Sequence, residues 1–231
     1  MPELSPISVA FLVFPNVTQL DLTGPAQVLS RLGNTTVDLL WKTKAPVPTD
    51  AGFSLLPTKT FADIESADIL CVPGGFGTMD VIQDEEALGW VRKAGAEASW
   101  VTSVCTGSIV LGAAGLLKGY RATTHWASHE QLEFFGAAPV KQRVVSDRNR
   151  VTGGGVTAGI GFGLALAAKI RGEDHAKFIQ LSIEYDPQPP FDSGSPAKAD
   201  AVAPERYWGL MNKSAPGRAA KVKAIAKGLG F

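Results

Sequence analysis

"TSVCTGSIVLGAAGLLKG" (Thr102–Gly119) changes character at one residue. The residues leading into it, "SWVTSV" (Ser99–Val104), are β-branched, aromatic and small polar types suited to a short buried strand. Those that follow are apolar at helical spacing from Ile109 to Leu117. Cys105 therefore stands at a strand-to-helix corner, and the same strand-then-helix alternation can be traced outward in both directions.

Toward the N-terminus, "ISVAFLVF" (Ile7–Phe14) is a continuous apolar run, as expected of a strand buried on both faces. "TGPAQVLSRLG" (Thr23–Gly33) reads as a helix opening on Thr-Gly-Pro and stopping at glycine. "TVDLLWKT" (Thr36–Thr43) and "SADILCVPGG" (Ser66–Gly75) read as further strands, the second ending in a Pro-Gly-Gly turn. "DEEALGWVRKAGAEA" (Asp84–Ala98) reads as a helix with acids in its first turn and bases later, the order the macrodipole favours.

Toward the C-terminus come a short strand or strand end at "RATTHW" (Arg121–Trp126) and a helix at "ASHEQLEFFGA" stopped by Gly136. A hairpin at "QRVVSDRNRVTGGG" (Gln142–Gly155) turns at Ser146–Asn149, and "VTAGIGFGLALAAKIRG" (Val156–Gly172) is a long apolar helix. This alternation predicts an α/β fold with a doubly wound, mainly parallel sheet and helices on both faces, whose working residues gather at the carboxyl ends of strands. Residues 1–196 are expected to form this domain. The stretch Tyr185–Pro204 is a proline-rich arm, and residues 197–231 are a basic helical extension read as packing on its own domain or on a partner.

The 231 residues carry 22 basic and 22 acidic side chains, so no net field draws in nucleic acid or an anionic membrane, and a small-molecule partner fits better. No apolar run approaches the roughly 18 residues of a membrane span, and the first residues lack a signal-peptide pattern. Two cysteines are too few for a disulfide framework, which points to a reducing cytoplasm.

A cysteine at the corner faces unpaired helix amides, which favour thiolate and predict a thiol pKa below the usual value of roughly 8.5. Cys105 is therefore the candidate nucleophile. Its small neighbours Thr106, Gly107 and Ser108 permit a sharp turn, and the local amides can hold an oxyanion. Cys71, inside the apolar "ADILCVPG", is expected to be packing. Asp21, in "NVTQLDLTGPAQVL", is either a helix cap or the proton-managing partner of Cys105. His125 in "TTHW" is an alternative base. The glycines of "PGGFG", Gly74 and Gly75, and Gly154 of the triplet suit close backbone approach to a small ligand rather than phosphate binding, since neither cluster has the required flanking residues. No metal-ligand spacing is present, so neither a metal nor another cofactor is expected.

Together "FPNVTQLDLTGPAQVL", "CVPGGFG", "VTSVCTGSIVLGAAGLLKGYRATTHW" and "VTGGGVTAGIGF" resemble the PfpI-like branch of the class I glutamine amidotransferase-like superfamily, and within it the bacterial isocyanide hydratases. The resemblance runs from about Ile7 to Pro196 and implies a flavodoxin-like fold. It also implies a homodimer and a hydro-lyase that turns an isocyanide plus water into an N-substituted formamide. It gives Cys105, Asp21 and Thr106 catalytic roles, and Gly74, Gly75, His125 and Gly154 become expected substrate contacts. The apolar "FLVFPNVTQLDLTG" and the proline-rich arm are the expected dimer interface. PfpI-type proteases resemble this chain but have histidine where Thr106 stands, so the protease reading lacks its base. The AraC-type regulators that share "TTHW" continue into a DNA-binding module of roughly 100 residues, and only about 35 remain here. A glyoxalase-type hydratase and a cysteine redox sensor are the alternatives. One departure stands out: the hydratases read Gly-Ile-Asp-Phe where this chain has Gly159-Ile160-Gly161-Phe162, so the helix that opens there is expected to be looser.

Overall fold

In the computed structural model, which describes residues 4–231, strand β1 (Ile7–Leu12) lies inside the sheet with a neighbour on each side. Its alternation sets the layers. Ile7, Val9, Phe11 and Val13 enter one buried cluster, while Ala10, Leu12 and Phe14 enter the other. A period of two with both faces covered is what a continuous apolar run dictates once it is a strand.

The remaining elements follow in chain order. They are α1 (Gln19–Leu29), β2 (Thr35–Trp41), the two-residue strands β3 (Val47–Pro48), β4 (Ser54–Leu55) and β5 (Lys59–Thr60), β6 (Ile69–Val72), α2 (Thr78–Val81), α3 (Glu85–Glu97) and β7 (Trp100–Val104). Then come α4 (Gly107–Ala113), β8 (Arg121–Ala122), a 3-10 helix η1 (Trp126–Phe135), β9 (Ala138–Pro139), β10 (Val144–Asp147), β11 (Arg150–Gly153), α5 (Ala158–Arg171), α6 (Glu173–Ser182), α7 (Val202–Ser214) and α8 (Arg218–Gly228). Seven strands form one sheet in the order β10-β11-β7-β6-β1-β2-β5, parallel throughout except for the β10–β11 hairpin. This is the expected doubly wound α/β architecture.

Three sequence expectations shift. Helix α1 starts at Gln19, four residues before Thr23, so Pro25 sits inside it and cannot donate to the Asp21 carbonyl. Burial explains the override: Leu22, Val28 and Leu29 form one apolar face, and α1 packs closely on α5, where an added Cβ at Gly159 would lie 2.8 Å from Pro25 Cδ. Asp21 is consequently in the first turn of the helix rather than ahead of it. The "ASHEQLEFFGA" segment is a 3-10 helix whose first residue is Trp126, with Gly136 in the left-handed conformation at its end. Finally, Phe11–Phe14 are at most 1% exposed within this chain's own core, so they cannot supply a subunit interface.

Beyond the proline-rich arm the chain forms two helices. Helix α8 buries Val222 and Ala226 in the same cluster as α3, α4 and η1, and Phe231 meets Phe135 edge-on at 5.4 Å. Helix α7 buries none of its residues.

Gly161 lies in the first turn of α5, which has no acidic residue there and no side-chain cap. A Cβ at Gly161 would meet only the Tyr185 hydroxyl, at 4.0 Å. Gly161→Asp is therefore expected to stabilise the fold by about 0.5–1 kcal/mol, through helix propensity and the positive end of the macrodipole. Thermal denaturation checks this as a rise in Tm of about 2–4 °C.

Candidate active site

After β1 the chain moves outward to β2 and β5, then returns to β6 on the other side of β1, so the strand order reverses between β1 and β6. A crevice opens at the carboxyl ends of strands at such a point. Residues following β1, β6 and β7 converge there.

From β7 comes Cys105, with φ of +55°. A side chain in this left-handed region costs about 1–2 kcal/mol, and the surroundings must hold it there. They do. The Cys105 amide donates to the Gly154 carbonyl at 2.7 Å and to that of Gly153 at 3.1 Å, while its carbonyl accepts from Thr124 Oγ1 at 2.9 Å and Ser108 Oγ at 3.1 Å. Gly107 then lets α4 begin flush against the end of β6, since a Cβ there would lie 2.0 Å from the Val72 carbonyl oxygen.

From the first turn of α1 comes Asp21, 1% exposed. Its Oδ2 accepts from the Gly74 amide at 2.9 Å, while Oδ1 is buried with no conventional hydrogen-bond partner. The carboxyl also engages the Cys105 thiol. From the loop after β6 come Gly74 and Gly75. Gly75 has φ of +136°, and a Cβ on it would lie 2.5 Å from the Asn16 carbonyl oxygen, so only glycine fits. Its amide donates to Thr106 Oγ1 at 3.1 Å.

Electrostatically the two acids form one unit. Burial pushes the Asp21 carboxyl up to about 7, against the smaller pull of the Gly74 amide and the Cys105 thiol. Burial, and next the negative charge of Asp21, push the Cys105 thiol well above its ordinary value, while the Thr106 amide and hydroxyl pull it down. This corrects the expectation of a thiolate created by helix amides alone. Because Cys105 is only 7% exposed, loss of hydration outweighs the amides. Above about pH 7 the pair instead carries one negative charge and one proton between sulfur and oxygen.

Above the pair lies a cavity of about 570 Å³. Thr18, Gly75, Cys105 and Thr106 line its floor, and His125, Trp126, Tyr207 and Trp208 line its walls. Trp126 and Tyr207 pack at a tilt with ring centres 4.7 Å apart, Trp126 meets Trp208 edge-on at 5.6 Å, and His125 lies 5.6 Å from Tyr207. These contacts seat α7 over the site.

The residues singled out in the sequence are thus placed as follows. Cys105, Asp21 and Thr106 come together, with Gly75 beside them. His125 lines the cavity, but its Nδ1 accepts from the Ala127 amide at 3.3 Å and its ring packs on aromatics, so no Cys–His pair forms; burial lowers its pKa, leaving it neutral at pH 7. The Gly74 amide is engaged by Asp21, and the Gly154 amide by the Arg143 carbonyl at 2.8 Å. These two glycines hold Asp21 and Cys105 in place and are not among the cavity-lining residues. Cys71 is fully enclosed, its thiol raised to about 12 by burial, and Thr102 Oγ1 donates to it. Trp126, Tyr207, Trp208 and Arg218 were not anticipated. For Tyr207 and Trp208 the signal was an adjacent aromatic pair in a helix of the basic extension, which local spacing alone cannot distinguish from packing; Trp126 stood in the quoted "TTHW" without a role.

The DJ-1/PfpI family model matches residues 7–169. The chain belongs to the DJ-1/PfpI family. Among its relatives, an isonitrile hydratase of Pseudomonas putida is 55% identical over 196 residues, covering 85% of this chain and 86% of that protein. A THiJ/PfpI family protein from Pseudomonas syringae superposes with a TM-score of 0.92 at 42% identity, over 100% of this chain and 93% of that one. The fold also matches Drosophila melanogaster DJ-1beta, at a TM-score of 0.72 and 19% identity over 79% of this chain and 100% of that one. For a DJ-1/PfpI chain, the extended match to the Pseudomonas syringae structure is informative because it includes α7 and α8, which lie beyond the segment the family model spans.

Proposed function

We propose that this protein is an isocyanide hydratase, a hydro-lyase converting R–NC and water to R–NH–CHO through a thioimidate on Cys105. The observation that carries the reading is a buried carboxyl, Asp21, set beside Cys105, whose sulfur lies at the floor of a cavity that an uncharged electrophile can enter. The similarity to an isonitrile hydratase supports it.

The terminal carbon of an isocyanide is electrophilic and carries a lone pair. Sulfur adds to that carbon while its proton passes to Asp21 and on to the carbon lone pair, giving R–N=CH–S–Cys105. Water then adds across the C=N bond, its proton passing through Asp21 to nitrogen. Collapse of R–NH–CH(OH)–S–Cys105 expels the thiolate, and the hydroxyl proton returns through Asp21 to sulfur. Atoms balance and no co-reactant is needed. Thr106, whose amide and hydroxyl act on the sulfur, stabilises its charge whenever the thiol is unprotonated. Asp21 Oδ1, buried and without a hydrogen-bond partner, is free to take up the proton in transit.

The enzyme works as a homodimer in a reducing cytoplasm, in keeping with two unpaired cysteines. Among the exposed apolar residues, Phe178, Leu181, Phe191, Val202 and Leu210 are each at least 58% exposed and fall on α6, the proline-rich arm and α7, and these supply the interface. The test is formation of the N-substituted formamide from phenyl and cyclohexyl isocyanide, followed by mass spectrometry, with methylglyoxal as the competing substrate. Turnover of isocyanide is expected. Turnover of methylglyoxal alone overturns the reading.

A further inference from the structure

The cavity is far larger than an isocyano group requires, and a half-buried cation that lines it forms no ion pair among the described residues. Resting on the hydratase reading above, we propose that Arg218 binds a carboxylate carried by the substrate at the end remote from the isocyano carbon.

Arg218 opens α8 and is held beside the site rather than in it. Its Nη2 donates to Thr78 Oγ1 at 2.6 Å, and Thr78 Oγ1 donates to the Gly75 carbonyl at 2.9 Å, so the guanidinium is tied to the glycine loop that flanks Cys105. Its Nε is buried without a partner, its Nη1 makes no hydrogen bond, and the side chain forms no ion pair among the described residues. The other charged lining residues, Asp50, Glu130 and Lys141, are exposed and screened by water. His129, like His125, has its pKa lowered by burial and is neutral at pH 7.

A guanidinium drawn partly out of water favours an anionic partner. Anchored through Nη2, with its Nε and Nη1 donors unengaged, it is placed to accept a carboxylate. A second observation shows that the same cavity is built for a polar ligand: Gln131, 5% exposed and lining it, has its side-chain Oε1 buried without a partner. Trp126 and Tyr207 stand between as walls for the apolar skeleton. The inferred substrate is thus an isocyanide with an aromatic or similarly extended skeleton ending in a carboxylate.

The experiment compares 4-isocyanobenzoate with its methyl ester. The wild type is expected to favour the acid in kcat/KM by roughly tenfold or more, expressed in KM. In R218Q that ratio is expected to fall to near unity, and in R218K to be partly kept. A purely structural Arg218, or one serving only the sulfur, would lower both substrates together and leave the ratio unmoved, which overturns the proposal, as does a wild-type ratio near unity. Should R218Q fail to fold, benzoate must inhibit ester turnover by the wild type about tenfold more strongly than benzamide; equal inhibition rejects the carboxylate site. If the wild type hydrates neither isocyanide, the hydratase reading fails, and calorimetry with benzoate then decides the Arg218 site separately. Binding that is lost in R218Q supports it, and absence of binding by the wild type rejects it.

Discussion

Cys105→Ala is expected to abolish formamide formation, with kcat lowered by ~10⁴-fold or more, while the protein folds normally. Where a nucleophile and its proton partner act as one unit, removing the nucleophile alone costs about as much as removing the whole unit. Here no other thiol can replace it, because Cys71 is sealed in the sheet with its thiol raised to about 12. The fold should tolerate the change, since the corner is held by the backbone groups of residue 105 and not by its sulfur: amide to Gly153 and Gly154, carbonyl from Thr124 and Ser108. Alanine keeps the Cβ that is strained at φ +55°, so Cys105→Gly should be the more stable of the two by about 1 kcal/mol. Product analysis by mass spectrometry and thermal denaturation of both variants check the two halves of this expectation. Formamide production by Cys105→Ala at the wild-type rate would eliminate a covalent intermediate.

Much of this arrangement was legible from residue order. The apolar run at Ile7, the Pro-Gly-Gly turn at Pro73 and the polar-to-apolar change at Cys105 each report a local property, burial on two faces or a forced corner, and the parallel sheet then brings their carboxyl ends together. Three things were not legible. The start of α1 depended on packing against α5 across more than a hundred residues, which overrode the local rule that proline opens a helix. The protonation of Cys105 depended on burial: corner position argues for a thiolate, and only loss of hydration together with a second acid beside the sulfur reverses that. Tyr207, Trp208 and Arg218 escaped for a related reason, because they reach the site from a segment of unremarkable basic composition after a proline-rich arm.

Asp21→Asn is expected to be both nearly inactive and more stable than the wild type at alkaline pH. The loss of activity, ~10²–10⁴-fold in kcat, is that of removing a general acid–base group. The pH profile identifies the group: wild-type kcat/KM should rise as pH increases through about 7, where the Asp21 carboxyl gives up its proton and becomes able to take the one on sulfur. The residual activity of the asparagine variant should lack that limb. The stability change has the opposite sign and the same origin. Asp21 ionises near 3.8 when unfolded and at about 7 when folded, so the folded state holds an extra proton between those values. Its stabilising contribution is complete below about 3.8 and is lost as pH rises to about 7; above that the fold carries a buried carboxylate at a cost on the order of 4 kcal/mol. Asparagine never ionises and can still accept from the Gly74 amide. Urea denaturation should therefore find Asp21→Asn similar to wild type at pH 4 and more stable by about 3–4 kcal/mol at pH 8. No gain at pH 8 would mean that Asp21 is not held against its charge, and the shared proton on which the chemistry turns would be lost with it.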